Sequence, residues 1–447
     1  MQRSSPDQVA IGVVAVCMLL ASTGAWSQVA PNSASTSREV SFREYLDAVE
    51  QNNLSLQAQR ETITSAKAGV SIAGVSPDPL FTAGIASYEL NSANRTSAST
   101  QTIVGLALTI ETAGKRGARI RSAESNVGLT EANVDLFRRQ LYADSAAGFV
   151  EACRTRAALA RKESSLKAMR DIVRANEVRF NSGAIGRLEL TQSRVEADRF
   201  ATDVVVARGD ATSAELGLSI PLGKRYAELF PGGELGCDLR RKALSEDLEA
   251  LIGQAMENRD DVRVAKAAVD LAQKNLSLAQ ANRWVDPIVS AGVTNIPRVN
   301  PTFDAAGNVT NFPANQSNPL GVAVTIPIPF SRLQRGELVQ AESAVTQAQL
   351  QLQSTLLRAE TEVRVTYTQY LAAAQNVQDY VARVLADADR VLDGVRTSYR
   401  LGAASLLELL NAQRTADDVY LGYRQAVADL SNAIVRLQLS TGVRPDL

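Results

Sequence analysis

The sequence predicts a mainly α-helical protein that also carries a membrane β-barrel, built by duplicating one helix-strand-strand-helix unit. Three observations lead there. One pattern of segments occurs twice along the 447 residues. Apolar heptads run far longer than a globular core needs. Beyond the N-terminus no run of about 18 apolar residues exists, so any membrane insertion has to use strands.

The chain opens with Arg3, an apolar run from Val9 to Ala21 and the small-residue site Ala25-Trp26-Ser27. Residues 1–27 therefore read as a secretory signal peptide. Cys17 follows Val16 inside the apolar run, where a lipid-attachment site would want a small residue. Residues 28–40 read as a polar linker with nothing to bury.

The first repeat is expected over 41–245. It is helical from Phe42 to Val75, with a break at Asn52 and Asn53, until Pro77-Asp78-Pro79 stops it. Strands are expected at 80–90 and 102–110, each about long enough for a tilted strand to cross a bilayer. A helical hairpin follows over 117–218, whose outgoing arm would reach about 100 Å at 1.5 Å per residue. A Gly- and Pro-rich belt segment fills 219–245.

The second repeat, 246–447, follows the same plan, with strands at 287–296 and 320–328 and a helical hairpin over 331–441. Asp286-Pro287 answers Asp78-Pro79, and Ser290-Ala291-Gly292 answers Thr82-Ala83-Gly84. Gly321 to Ile326 answers Gly105 to Ile110, and Ala341-Glu342-Ser343 answers Ala123-Glu124-Ser125. In its long helix Leu338, Val345 and Leu352 are spaced by seven. After a four-residue step, Leu356, Val363, Tyr370, Val377, Val384 and Val391 continue the spacing, a coiled-coil seam with one stutter. A further row at Leu350, Leu357, Leu371, Leu385 and Leu392 widens the apolar face, so the helix should touch neighbours on two sides.

The hairpin tips are duplicated as well. Phe180, Gly183, Ala184, Leu188, Glu189 and Leu190 match Tyr399, Gly402, Ala403, Leu407, Glu408 and Leu409. Gly183 and Gly402 supply left-handed helix ends. Ser405 and Glu408 have capping-box spacing, and Glu189 stands equivalently after Gly186.

Composition excludes several function classes. A net charge of -1, with Arg interleaved among Asp and Glu, speaks against nucleic acid as a partner. The chain has no His and 4 Met, which removes His-based acid–base or triad chemistry and leaves no metal ligand set. No enzyme activity and no cofactor are expected. Beyond the signal, Cys153 and Cys237 remain, and both fall at belt level. A disulfide in an oxidising compartment and a pair of buried thiols are both open.

Four strands cannot close a barrel, since the smallest membrane barrels have about eight. Two, three or four copies would supply about 8, 12 or 16 strands, and only the larger numbers leave an open lumen.

The duplicated plan, with Phe180-Asn-Ser-Gly183 and Tyr399-Arg-Leu-Gly402 followed by Leu407-Glu408-Leu-Leu-Asn-Ala-Gln413 at the two turns, resembles the TolC-type outer-membrane efflux channels. The resemblance covers nearly all of the chain after the signal. Ile110-Glu-Thr-Ala-Gly114-Lys115-Arg116-Gly117 and Ile326-Pro-Ile-Pro329-Phe330 are similar to the CzcC-like branch that serves heavy-metal efflux. The resemblance implies a homotrimer with a 12-stranded barrel in outer-membrane lipid and long coiled-coil helices forming a periplasmic tunnel. It also implies docking to a periplasmic adaptor protein and an inner-membrane pump of the resistance-nodulation-division class. The family's ring of acidic residues at the entrance falls on Glu189 and Glu408, with Gln192 and Asn411 one turn on, where the acidic pattern is lost. Gly183, Gly186, Gly402 and Ser405 become the expected adaptor contacts.

For Glu408 two readings stand: a helix cap alone, or a cap that also lines a cation-attracting entrance. The functional expectation is a passive export duct for divalent cations of the cobalt, zinc and cadmium type. Drugs or secreted proteins are alternative cargoes. A periplasmic coiled-coil adaptor or scaffold would explain the heptads and tips but not four strands at duplicated positions.

Overall fold

A computed structural model of the chain describes residues 38–86, 100–239, 247–298, 300–311, 313, 315–328 and 335–447. The signal peptide expected at 1–27, linker residues 28–37 and strand residues 87–90 lie outside the described residues.

The first half runs β1 (Glu39–Val40), α1 (Phe42–Asn52), α2 (Leu54–Ala73), β2 (Leu80–Ala86), β3 (Gln101–Thr109), α3 (Lys115–Asn181) and α4 (Arg187–Gly217). Its belt contains α5 (Ser219–Leu222), α6 (Tyr226–Leu229) and β4 (Glu234–Leu235). The second half runs α7 (Leu248–Asn258), α8 (Asp260–Asn282), β5 (Ile288–Asn295), β6 (Thr302–Phe303), β7 (Val309–Asn311), β8 (Leu320–Thr325), α9 (Gly336–Asp379), α10 (Leu385–Arg400) and α11 (Leu406–Ser440). Apart from the short β6–β7 ribbon and the belt, the two halves share one order of elements. At 67 residues, α3 spans about 100 Å.

Each entering helix breaks once. Asn53 caps α2 by accepting from Leu56 N–H at 2.8 Å, and its amide donates to Pro221 O at 2.7 Å. That second bond seats the belt against the α1–α2 break. Gly223 approaches Asn52 O so closely there that a Cβ would lie 2.5 Å away. Gly442 meets the α7–α8 break in the same way, with a Cβ position 2.7 Å from the Asn258 carbonyl carbon. The end of each return arm therefore abuts a break in an entering helix.

The main core lies at this level. Val40, Phe42, Tyr45, Leu46 and Val49 pack on Phe149 and Cys153 of α3, on Leu218, Leu222, Tyr226, Phe230 and Leu235 of the belt, and on Val435 and Leu439 of α11. Phe149 meets Phe42 edge-on at 5.3 Å and Tyr45 at 5.5 Å. A disulfide joins Cys153 to Cys237 with the Cα atoms 5.4 Å apart, which fastens the belt to α3. One part of the polar linker is not a linker. Glu39 and Val40 pair in parallel with Glu234 and Leu235, and Val40 is fully buried. Its apolar side chain fits beneath the belt while its carbonyl accepts from Gly236 N–H at 2.9 Å.

The seam of the second long helix also departs from its expected course. Val363, Tyr370 and Val377 are buried as a heptad row would have them, while Leu356 at its start is half-buried beside the buried Thr355. Below them one π-type turn spans Tyr380–Val384. Val384 and Val391 are then 39% and 56% exposed, while Leu392 and Tyr399 are 3% and 5% exposed. A π turn adds one residue to the helical repeat, so the seam advances by one position and resumes at Leu385, Leu392 and Tyr399. The turn sits where Tyr380 packs on Tyr423 at 6.2 Å, and a Cβ at Gly422 would lie 2.6 Å from the Tyr380 hydroxyl.

β2, β3, β5 and β8 form one antiparallel sheet in that order, which leaves β2 and β8 as its edges. Its first two strands come from one repeat and its last two from the other.

Because Phe149 fills the centre of the belt core, Phe149→Ala should destabilise the fold by about 3–5 kcal/mol. A lowered unfolding midpoint in detergent, followed by circular dichroism, checks this, and an unshifted midpoint would mean that the belt does not depend on that contact.

Candidate functional site

Both tips close in the same way. Gly183 and Gly402 each have φ +77°. Gly183 N–H donates to Phe180 O at 2.9 Å and Ala184 N–H to Arg179 O at 2.8 Å. At the second tip Gly402 N–H donates to Tyr399 O at 3.1 Å and Ala403 N–H to Ser398 O at 2.8 Å. This double bond is the Schellman ending, and only a residue without a Cβ takes the positive φ without strain.

The restarts differ. At α11, Ser405 Oγ accepts from Glu408 N–H at 3.2 Å, and Glu408 Oε2 accepts from Ser405 N–H at 2.7 Å. The backbone N–H of Ser405, followed by its hydroxyl, holds the Glu408 carboxyl below the usual range. At α4 the equivalent cap is Gly186, which makes no side-chain cap. A capping box at Glu189 is therefore absent, because Gly186 has no side-chain oxygen to accept its N–H. The Glu189 carboxylate instead takes a hydrogen bond from Tyr399 of the other hairpin at 3.1 Å. Gln192 and Asn411 are exposed one turn on.

The residues that join the hairpins carry no motif in the sequence. Tyr399 is buried, with its hydroxyl 2.8 Å from Asn176 Oδ1 as well. Asn176 is fully buried and its Nδ2 has no partner. With that amide turned over, Nδ2 can donate to the Tyr399 oxygen while the phenol proton goes to Glu189. Burial pushes the Tyr399 hydroxyl above its ordinary value, so it remains a donor at neutral pH. Farther from the tip, Asp417 accepts from Arg161 and Ser165, both at 2.7 Å, while Arg414 pairs with Glu196 at 2.6 Å. Leu166, Met169, Phe200, Leu406, Leu409 and Leu410 fill the space between these polar links. The available signal was the duplication itself, which puts a phenol at 399 opposite a phenyl ring at 180, since a buried hydroxyl needs a partner.

At the opposite end of the long helices, the sheet register sorts side chains by face. Directly paired residues of an antiparallel ladder share a face and alternate residues change it. Phe81, Ala83 and Ile85 therefore share a face with Val104, Leu106 and Leu108, with Val289, Ala291 and Val293, and with Leu320, Val322 and Val324. That face is apolar nearly throughout. The other carries Thr82, Gly84, Gly105, Ala107, Thr109, Ser290, Gly292, Thr294, Gly321, Ala323 and Thr325, which are small or polar, together with three larger apolar residues, Leu80, Ile103 and Ile288. One face suits hydrocarbon and the other an aqueous lumen. Among the described residues no helix is long and apolar enough to cross a membrane, and no group of three or more Cys, Asp and Glu is placed to hold a metal ion.

The family model for outer membrane efflux protein matches residues 45–224 and 251–443. The chain belongs to that family. The two matched blocks follow the duplication. The cobalt-zinc-cadmium resistance protein CzcC of Cupriavidus metallidurans is 23% identical over 83% of this chain and 82% of its own length. Nodulation protein T of Rhizobium leguminosarum bv. trifolii is 22% identical over 72% of this chain and 68% of its own. A crystal structure of CusC superposes with TM-score 0.70 at 18% identity, covering 90% of this chain and 92% of that one, so the fold is shared. As an outer membrane efflux protein the chain is a duct and not an enzyme, and it spans the outer membrane and the periplasm. Channels of this family are trimeric components of tripartite pumps.

Since the folded-state carboxyl of Glu408 sits below its unfolded value, its cap is fully present above about pH 4.3 and is lost as pH falls through the folded value. Hydrogen exchange in the first turn of α11 should accelerate over that acid range. Glu408→Gln should remove the pH dependence, and an identical acid profile in both proteins would discount the cap.

Proposed function

We propose that this chain, as a homotrimer, is the outer-membrane duct of a tripartite resistance-nodulation-division pump and passively exports divalent heavy-metal cations of the cobalt, zinc and cadmium class. The observation that carries the duct is the sheet of two chemically distinct faces, continuous with helices about 100 Å long. A water-filled passage lined by Thr, Ser, Ala and Gly runs inside the barrel, and the tips form the periplasmic end. Selection of cargo is left to the adaptor and the inner-membrane pump.

Support for metal cargo comes from the breadth of the match to CzcC, whose name states cobalt, zinc and cadmium resistance. The absence of His and the scarcity of Met agree with a conduit that passes cations without coordinating them. Glu189 and Glu408, repeated by three copies, would put six carboxylates near the entrance and favour cations there. Glu408 caps its own helix first, so its contribution to the ring comes from the charge it retains. Gly183, Gly186, Gly402 and Ser405 form the exposed turns that the adaptor would meet. Drugs and secreted proteins remain alternative cargoes for the same duct. A periplasmic scaffold is opposed by a sheet with one face of Phe, Leu, Ile and Val.

Leu106→Arg on the hydrocarbon face should block outer-membrane assembly, at a cost of about 2–4 kcal/mol for a cation near the bilayer midplane. Ala107→Arg on the neighbouring lumen position should assemble and reduce cation conductance. Assembly of both variants alike would overturn the assignment of faces. In planar bilayers the Glu189→Gln, Glu408→Gln double variant should lose cation preference, and unchanged reversal potentials would remove these residues from the entrance. Metal tolerance of a deletion strain, restored by the wild-type chain and not by an empty vector, tests the cargo class.

A further inference from the structure

The first turn of α3 fastens the helices on either side of it at the junction between sheet and helices. Arg116 Nε donates to Gly74 O at 2.6 Å, and Arg119 donates to Ala73 O and Val75 O at 3.2 and 3.0 Å. These bonds satisfy the carbonyls at the end of α2. On the other side Lys115 Nζ donates to Trp284 O and to Asp286 Oδ2, both at 2.6 Å, and Thr112 N–H donates to Asp286 Oδ1 at 2.9 Å. Asp286 is thus the anchor that holds the α8–β5 connection against α3.

The duplication places Asp78-Pro79 where Asp286-Pro287 stands, α2 where α8 stands and α9 where α3 stands. Within one copy α3 packs against both α2 and α8, whereas α9 packs against α8, α7 and α11 and keeps an exposed apolar strip on its first half. Val339, Leu350 and Leu357 lie exposed on α9. Ile72 is 72% exposed on α2, and Asp78 beyond it is exposed, with no ion pair or hydrogen bond among the described residues. Arg335, at the N-cap of α9, likewise has no carboxylate partner among the described residues. The sheet ends at β8 above α9 and begins at β2 after α2. An α2 helix and an Asp78 that could complete α9 are available from a second copy whose β2 lies beside this β8.

We propose that Asp78 of one copy takes the part of Asp286 across the subunit boundary, accepting from Arg335 at the start of α9 in the next copy. α2 of the first copy then covers the open apolar face of that α9. The inference rests on the trimeric duct reading and adds the contact that sets the barrel on the tunnel between copies. Its chemistry is matched: a carboxylate after α2 and a guanidinium before α9, each without a charged partner among the described residues, and apolar surface on both helices.

Charge reversal in the full-length trimer in detergent tests it. Asp78→Arg and Arg335→Asp should each lower the trimer fraction surviving a fixed heat step, by about tenfold. The double reversal should recover most of it, because the pair is rebuilt with the charges exchanged. An unchanged trimer in Asp78→Arg, or a double variant no better than either single one, overturns the proposal. If the reversals fail to reach the outer membrane, Asp78→Asn and Arg335→Gln replace them in a double-mutant cycle, where non-additive losses support the contact and additive losses refute it. A wild-type chain that is monomeric at the outset would instead sink the duct reading itself.

Discussion

Every backbone N–H and C=O that enters hydrocarbon needs a partner, and among the described residues the sheet β2-β3-β5-β8 leaves one side of β2 and one side of β8 without any. Copies must therefore meet edge to edge before the sheet is stable in a bilayer. The rest of the architecture answers to this constraint. Long helices continue from the strands and carry lateral surfaces of their own, so in the proposed trimer one set of contacts would close the barrel and line the tunnel. Exposed apolar residues on α2, α4 and α9 are unexplained in an isolated copy and expected in an assembly of copies.

Within one copy, stability is concentrated at two levels. The belt core gathers α1, α3, the belt helices and α11 around Phe149, and the Cys153–Cys237 bond closes it. Toward the tips, apolar layers alternate with polar links such as Arg161–Asp417 and Arg414–Glu196. Removing one partner of a half-buried polar link strands the other, so these links specify the pairing of hairpins more than they add net stability. Such an arrangement suits a bundle whose helices must stay in register over a great length.

The two repeats have kept their backbone plan and diverged in side-chain roles. Gly183 and Gly402 end their helices identically, yet Ser405 caps its helix while Gly186 cannot. That one difference frees Glu189 to reach Tyr399, while Glu408 is drawn back to its own helix end. Equivalent positions in a duplicated chain thus share location without sharing partners. Asp286 and Asp78 follow the same logic, one paired with Lys115 in the same copy and one without a cation among the described residues.

Much of this was legible in the amino-acid order alone. Periodicity, turn residues and internal repetition are local signals, so the sequence by itself determined the duplicated plan, the positions of the strands, the long helices and both glycine turns. The Schellman endings at Gly183 and Gly402 and the capping box at Ser405 needed no tertiary information, because each is closed by residues within one turn. What only the tertiary structure decided depends on groups far apart in the chain. Val40 reads as linker in sequence because its partners, Leu235 and the belt, lie nearly two hundred residues away. Apolar spacing continues equally through Val384 and Val391 and through Leu385 and Leu392, and only the π turn decides that the buried row moves to Leu392 and Tyr399. The bond from Tyr399 to Glu189 joins two hairpins, and no spacing rule reaches across them. Local hydrogen bonding and side-chain period are written along the chain, whereas the partner of a buried polar group is chosen by packing in space.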